Sequence, residues 1–296
     1  MTAPVTAPVI ETQRAGAELG AGLDALELGP VELRTPLWRR VLDSVVPPLL
    51  GLGILLGVWQ LVVSTYHPST LPSPLEVWDS LRDSWSRGRV QEAVGTSLER
   101  GGLGFLLSVV VATPIGLLLS RVRVLRRAFG PIISGLQSMP SVAWVPAAIL
   151  WFSLSEGTIY FVILMGAIPS IVNGTISGID QVPPLYSRVG HVLGARGFAL
   201  ARHVLLPAAL PGYLGGLKQG WAFSWRSLMA AELIVTSSTF GLGLGQLLDQ
   251  SRQLFDLPGV LAGIIAILVV GLAVDLLVFS PVERAVLKRR GLVGHS

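Results

Sequence analysis

Residues 184–211 read PLYSRVGHVLGARGFALARHVLLPAALP, a polar island between two long apolar runs. The island holds Arg188, His191, Arg196, Arg202 and His203, and the one acid close by is Asp180. Its apolar residues Val189, Val192, Leu193, Phe198, Leu200 and Val204 recur at roughly helical spacing. That pattern predicts two short amphipathic helices hinged at Gly194 and Gly197, since glycine reaches backbone angles that other residues avoid. The Leu206-Pro207 and Leu210-Pro211 steps mark the start of a new helix, because a first helical turn has no use for the N–H that proline lacks. Two readings compete: a basic loop that only sets membrane topology, and a recognition element.

Outward from the island the chain is too apolar for an ordinary soluble domain, with 51% hydrophobic and 14% charged residues and a mean hydropathy of +0.65. A membrane span needs about 20 mainly apolar residues, and six stretches qualify: 45–64, 97–120, 129–153, 158–179, 207–235 and 258–280. The expected fold is all-α, a polytopic membrane protein of six transmembrane helices. Cytoplasmic loops near span ends are enriched in Lys and Arg. With both termini inside, fifteen of the 22 basic residues lie on cytoplasmic segments and four (Arg82, Arg87, Arg89 and Arg252) on outer loops. The same dispersion along membrane edges accounts for the basic pI without a nucleic-acid partner. It suits lipid phosphates at the basic C-terminal end.

Residues 1–32, rich in Ala, Pro, Thr and Gly, cannot bury enough apolar area to offset ordering and are expected to be a disordered cytoplasmic tail. Residues 33–46 are expected to form an interfacial helix, 47–290 the transmembrane domain with the basic island (180–206) inside it, and 291–296 a second tail. No early apolar core with a cleavage site precedes the first span, so no secretory signal is expected. The outer loop 66–96 places Leu75, Val77, Trp78, Leu81 and Trp85 among charges, which predicts a short amphipathic helix.

The spacing within the island resembles the cytoplasmic signature of ABC importer permeases: Glu-Ala-Ala, three residues, Gly, nine residues, Ile, one residue, Leu-Pro. Here Gly194, Val204 and Leu206-Pro207 stand at the matching positions, whereas Arg188, Val189 and Gly190 replace Glu-Ala-Ala. Further landmarks are similar to the branch of that family serving aliphatic sulfonates, taurine, nitrate and bicarbonate. They are Pro140, Ala143-Trp144, Pro146, Leu150-Trp151-Phe152, Glu156, Ala230-Ala231-Glu232, Ser237-Ser238, Gly241-Leu242-Gly243, Asp275 and Glu283-Arg284, while Thr96-Ser97-Leu98 with Arg100 resembles the start of the second core helix in the family at large. The resemblance covers about residues 40–290. It implies the type I importer permease fold, with the island as coupling helices seated in an ATPase subunit through Arg188, His191, Gly194, Ala195, Arg196, Gly197, Arg202, Leu206 and Pro207. It also implies a homodimer in a bacterial inner membrane, two ATPase subunits that bind the ATP and Mg, and an external solute-binding protein. The chain itself would need no cofactor.

The stretch before the last span, residues 215–245, is the most polar of the spans. On a helix turning 100° per residue, Lys218, Trp221, Trp225 and Glu232 share a face about 60° wide, and Arg226 lies about 80° to its other side. Charges in a span are costly and usually turn inward. Either this face lines a passage for an anion, or Lys218 sits at the interface and Glu232 pairs with Arg226 or Arg100 as structural glue. Gln137 and Met139 precede a proline-rich kink and are further candidates for the passage. Gln137 and Asn173 can instead bond neighbouring helices.

No GxxxxGK[ST] phosphate loop is present, so ATP is not expected to bind this chain in the usual way. The four histidines, His67, His191, His203 and His295, have no metal-ligand spacing, and there are no cysteines. The chain reads as a non-enzyme. The resemblance to that branch implies a small oxyanion as cargo, first an alkanesulfonate or taurine, then nitrate or bicarbonate. Alternatives are a permease for a neutral heterocycle, a secondary transporter driven by an ion gradient, whose inverted repeat is not found, and an assembly protein without cargo.

Overall fold

The computed structural model describes residues 37–66, 71–235 and 241–289. It divides into two units, one ending at Val58 and the other beginning at Trp59. Helix α1 (Leu37–Tyr66) contains that boundary and runs unbroken through Pro47 and Pro48, which cost it two backbone donors without ending it. Residues 37–46 of the expected interfacial helix are continuous in α1 with the apolar segment Val45–Tyr66, and residues 33–36 lie outside the described residues. Residues 1–36 and 290–296 lie outside those residues, as do His67, Ser237-Ser238 and His295.

The second unit is built on α6 (Glu156–Asp180), with α3 (Arg89–Arg121) and α9 (Leu206–Ile234) packed along it. Close approach is achieved by removing side chains. A Cβ on Gly104 would meet Ile163, and one on Gly116 would meet Thr175. Along the α6–α9 crossing Gly174 faces Gly216 and Gly178 faces Gly212, with backbone against backbone, while Gly220 takes Ile171. Small residues at four-residue spacing let membrane helices touch in this way. Two apolar clusters fill what remains, one around Ile159, Val162, Ile163, Trp221, Trp225 and Leu228, the other around Ala112, Leu119, Ile171, Val172 and Ile176.

The outer-loop helix is present as α2 (Pro74–Ser86). A capping box starts it: the Glu76 amide donates to Ser73 Oγ at 3.3 Å and the Ser73 amide to Glu76 Oε2 at 2.7 Å. The expected third span is broken. Helix α4 (Arg123–Ser138) gives way at Met139 to a single 3₁₀ turn (Ser141–Trp144) and then α5 (Val145–Phe152), bent by 100°. Pro140 and Pro146 withhold the donors a straight helix would need. Phe161 of α6 holds the bend, meeting Trp144 and Trp151 edge-on.

The remaining elements are α7 (Pro184–Val192), the single turn α8 (Gly197–Leu200), α10 (Leu244–Gln253), α11 (Leu257–Val274) and α12 (Ser280–Arg289). Wide π turns join α8 to α9 (Ala201–Leu205) and α11 to α12 (Asp275–Phe279).

Among the described residues four segments are long and apolar enough to cross a membrane: Val45–Tyr66, Arg89–Arg121, Glu156–Asp180 and Leu257–Lys288. The bent α4–α5 pair makes a fifth if it counts as one span. Of the six expected spans, 207–235 corresponds to α9, whose 29 residues reach about 43 Å. Its glycines and its charges Lys218, Arg226 and Glu232 keep it out of that set on composition. It is instead packed among other helices, with Leu228 and Ala231 fully buried.

Candidate functional site

The basic island folds into an elbow at the start of α9. Helix α7 stops because Gly194, at φ +84°, turns the chain left-handed. The Ala195 amide then reaches back to Gly190 O at 2.9 Å and the Gly194 amide to His191 O at 3.0 Å, the paired bonds of a Schellman cap. Gly197, also left-handed at φ +53°, restarts the chain as α8. Gly190 is buried where a Cβ would press on the Leu200 methyl, so a glycine instead of the signature's alanine suits this packing. Outward, the elbow exposes both apolar and basic groups: Leu185, Val189, Val192 and Leu193 beside Arg188, His191, Arg196 and Arg202. Ala195 is half-buried, and Leu206 and Pro207 are exposed at the first turn of α9. Beneath the elbow, Arg126 and Asp180 form a two-bond ion pair between α4 and the end of α6, with Arg126 Nη1 donating to Asp180 Oδ1 at 2.8 Å.

About 18 Å further along α9 lies a cavity of about 480 Å³, lined by Lys218, Trp221, Trp225, Arg226, Gly271 and Asp275 among others. Trp221 and Trp225 are buried and stacked at 6.0 Å. Trp225 Nε1 donates to Ile267 O at 3.3 Å, and Trp221 packs edge-on against Phe105 at 5.5 Å. Lys218 Nζ lies 3.2 Å from Asp275 Oδ1 and 3.8 Å from Glu283 Oε2. A second cavity of about 310 Å³ lies at the α4–α5 bend, lined by Gln137, Met139, Ser141 and Phe223 among others, and again by Arg226. Gln137 Oε1 accepts from Asn173 Nδ2 at 2.5 Å, so the two residues for which helix bonding was an alternative bond each other.

Glu232 is elsewhere. It is fully buried at the far end of α9 and lines neither cavity. Ser97 Oγ donates to its carboxylate at 2.8 Å, Arg100 Nη1 at 3.2 Å and the Gly245 amide at 3.0 Å. The Leu244 amide donates to Ser97 Oγ at 2.9 Å, so the first turn of α10 is tied into the same cluster. Arg100 also reaches Glu156 Oε1 at 3.4 Å. The expected passage residues therefore separate into one group around Arg226 and one sealed carboxylate joined to Arg100.

Sequence reasoning missed the partners of Lys218: Asp275 and Glu283 are remote from it in the chain, and nothing local marks the pairing. It also passed over the spacing Gly212-x₃-Gly216-x₃-Gly220 and Gly174-x₃-Gly178, a legible sign of a close helix crossing.

Residues 104–280 match the family described as binding-protein-dependent transport system inner membrane component. The nitrate import permease protein NrtB of Synechocystis sp. is 30% identical over 257 residues, covering 84% of this chain and 92% of the relative. The bicarbonate transport system permease protein CmpB of Synechococcus elongatus is 29% identical over 249 residues, 80% of this chain and 88% of the relative. A solved structure of the MetNI methionine ABC transporter in inward-facing conformations superposes with a TM-score of 0.56 at 20% identity, covering 66% of this chain and 94% of that one. That likeness concerns the fold: an all-α permease of the type I importer kind.

Proposed function

The chain belongs to the family of binding-protein-dependent transport system inner membrane components, and from that premise we propose that it is the permease subunit of an ATP-driven importer for a small oxyanion. Two copies form the passage in a bacterial inner membrane, with both termini on the cytoplasmic side. Two ATPase subunits, which bind the ATP and Mg, dock at the elbows, and a solute-binding protein delivers cargo from outside. The chain performs no bond chemistry of its own.

The observation that carries this reading is the elbow. A short helix capped by Gly194 presents Leu185, Val189, Val192 and Leu193 to solvent amid Arg188, His191, Arg196 and Arg202. Apolar residues flanked by cations on a segment between spans call for a protein cover with an acidic rim. From Gly197 the elbow continues through α8 and the π turn Ala201–Leu205 directly into α9, so displacement at the ATPase is carried along α9 to Trp221, Trp225 and Arg226 and to the bend at Met139. Access to the passage then alternates with the nucleotide cycle, two states that both sites bias.

The cargo class is supported by the relatives' names, nitrate and bicarbonate, and by the cation Arg226 lining both cavities. Alkanesulfonates and taurine share the same anionic oxygens and belong to the same class. The test is uptake of radiolabelled nitrate and taurine by vesicles holding the full complex. Uptake is expected to need ATP and to vanish in Gly194→Asp while the complex still assembles. Uptake that persists with an inactivated ATPase, or that is unaffected by Gly194→Asp, would overturn the assignment.

A further inference from the structure

We propose that Arg226 is the anion-selecting residue of the passage, and that Lys218, the other cation on the same stretch of α9, is a brace without part in selection. The proposal deepens the importer reading by naming the group that recognises the cargo, and it relies on that reading only for calling the anion cargo.

The two cations differ in how their charge is used. Lys218 faces two carboxylates, Asp275 at 3.2 Å and Glu283 at 3.8 Å, which bind α9 to the π turn after α11 and to α12. Its charge is more than balanced. Arg226 forms no ion pair with any described residue. Its Nε donates to Ala222 O at 3.1 Å and its guanidinium lies over Phe223 at 4.7 Å. Stacking on a ring steadies a guanidinium and leaves its charge unneutralised. A cation kept unpaired in a membrane helix has a functional partner by default.

Position points the same way. Arg226 lines both cavities, the one with Trp221 and Trp225 and the one at the Met139 bend. In the larger cavity Asp275 offsets Lys218, so the lining charge that remains is that of Arg226. The indole N–H of buried Trp221, on the same wall, finds no acceptor among the described residues. A guanidinium offers a planar fork of donors that matches two oxygens of one anion. Nitrate, bicarbonate and sulfonates all present such a pair, and neutral heterocycles and cations do not.

The chain lacks cysteine, so Gln219→Cys places a single thiol on the exposed lining of the larger cavity. The full-length variant in nanodiscs is labelled with 2-sulfonatoethyl methanethiosulfonate and with its trimethylammonium counterpart, and the ratio of the two rates is read. No ATPase or binding protein is needed, so failure here is distinct from failure of the importer reading. Adding Arg226→Gln is expected to lower the anion-to-cation ratio about tenfold, the scale of one unscreened charge nearby. Arg226→Lys is expected to keep the ratio within about threefold, because the charge remains. Sodium nitrate and sodium methanesulfonate, compared with equal sodium gluconate, should slow labelling when Arg226 is present. They should protect less in Arg226→Lys and not at all in Arg226→Gln. An unchanged ratio in Arg226→Gln, or no protection by either anion with Arg226 intact, overturns the proposal. Should Arg226→Gln fail to elute as a folded species, Arg226→Lys decides alone: full protection with lysine would remove the fork from the argument.

Discussion

Two stretches of α9 carry charge and treat it in opposite ways. At its far end Glu232 is sealed, with Ser97, Arg100 and the Gly245 amide all donating to its carboxylate. Six residues earlier Arg226 is exposed between two cavities with a carbonyl and a phenyl ring for company. The first joins three helices, and the second forms no ion pair among the described residues. A charge inside a helical bundle is therefore not by itself a sign of function. What separates a joint from a binding site is whether the partners are already present.

Removing the sealed carboxylate tests the comparison most severely. Glu232→Ala takes from Arg100 its fully buried acceptor, leaving it Glu156, and takes the acceptor of the Gly245 amide, and breaking such a buried pair costs up to about 3–5 kcal/mol. The expected outcome is a large fall in the thermal midpoint of the detergent-solubilised chain, or its loss from the membrane. A shift no greater than that of an Arg226 variant would erase the distinction between the two ends.

Next in size is the α6–α9 crossing that positions both ends. Gly216→Ala drives a Cβ into the Gly174 backbone and is expected to cost about 1–3 kcal/mol by overpacking. Gly215→Ala beside it meets nothing within 4 Å and serves as the control, expected within about 0.5 kcal/mol of the parent. Equal melting curves for the two would mean that the helices do not touch as described.

Smaller still is the elbow cap. Gly194 has open space around it, so Gly194→Ala meets only the cost of a left-handed backbone, about 1–2 kcal/mol. ATP-driven uptake is expected to fall more than stability does, because the elbow is where the motor is proposed to act. Smallest is Arg226→Gln, expected to change the thermal midpoint little, within about 0.5 kcal/mol, while the anion-to-cation labelling ratio collapses. Stability falling in step with the ratio would return Arg226 to the structural group with Glu232.

Some of this was legible in the residues. The elbow follows from Gly194 and Gly197, the bend in the third span from Pro140 and Pro146, and α2 from Leu75, Val77, Trp78, Leu81 and Trp85 set among charges. Each is a matter of a few consecutive residues. The helical wheel grouped Lys218, Trp221, Trp225 and Glu232 on one face, and as a projection down the axis it was sound. It could not register that Glu232 sits four turns from Lys218, in a different layer of the bundle. Nor could it choose between Arg100 and Arg226 as the partner of Glu232; the packing of α3 against α9 selects Arg100.

By itself the sequence determined the class of molecule and its local geometry. Apolar run lengths set the spans, and glycine and proline set where helices stop, bend and restart, since backbone freedom is a property of the residue and its immediate neighbours. Tertiary structure alone decided which charges are spent. Only once α3, α9, α11 and α12 are brought together does Lys218 meet Asp275 and Glu283 and Glu232 meet Arg100, while Arg226 is left without an acid among the described residues. The reason is one of range: a backbone preference acts over a few residues, whereas an ion pair forms only at a few ångströms, a distance set by the packing of the helices that carry it.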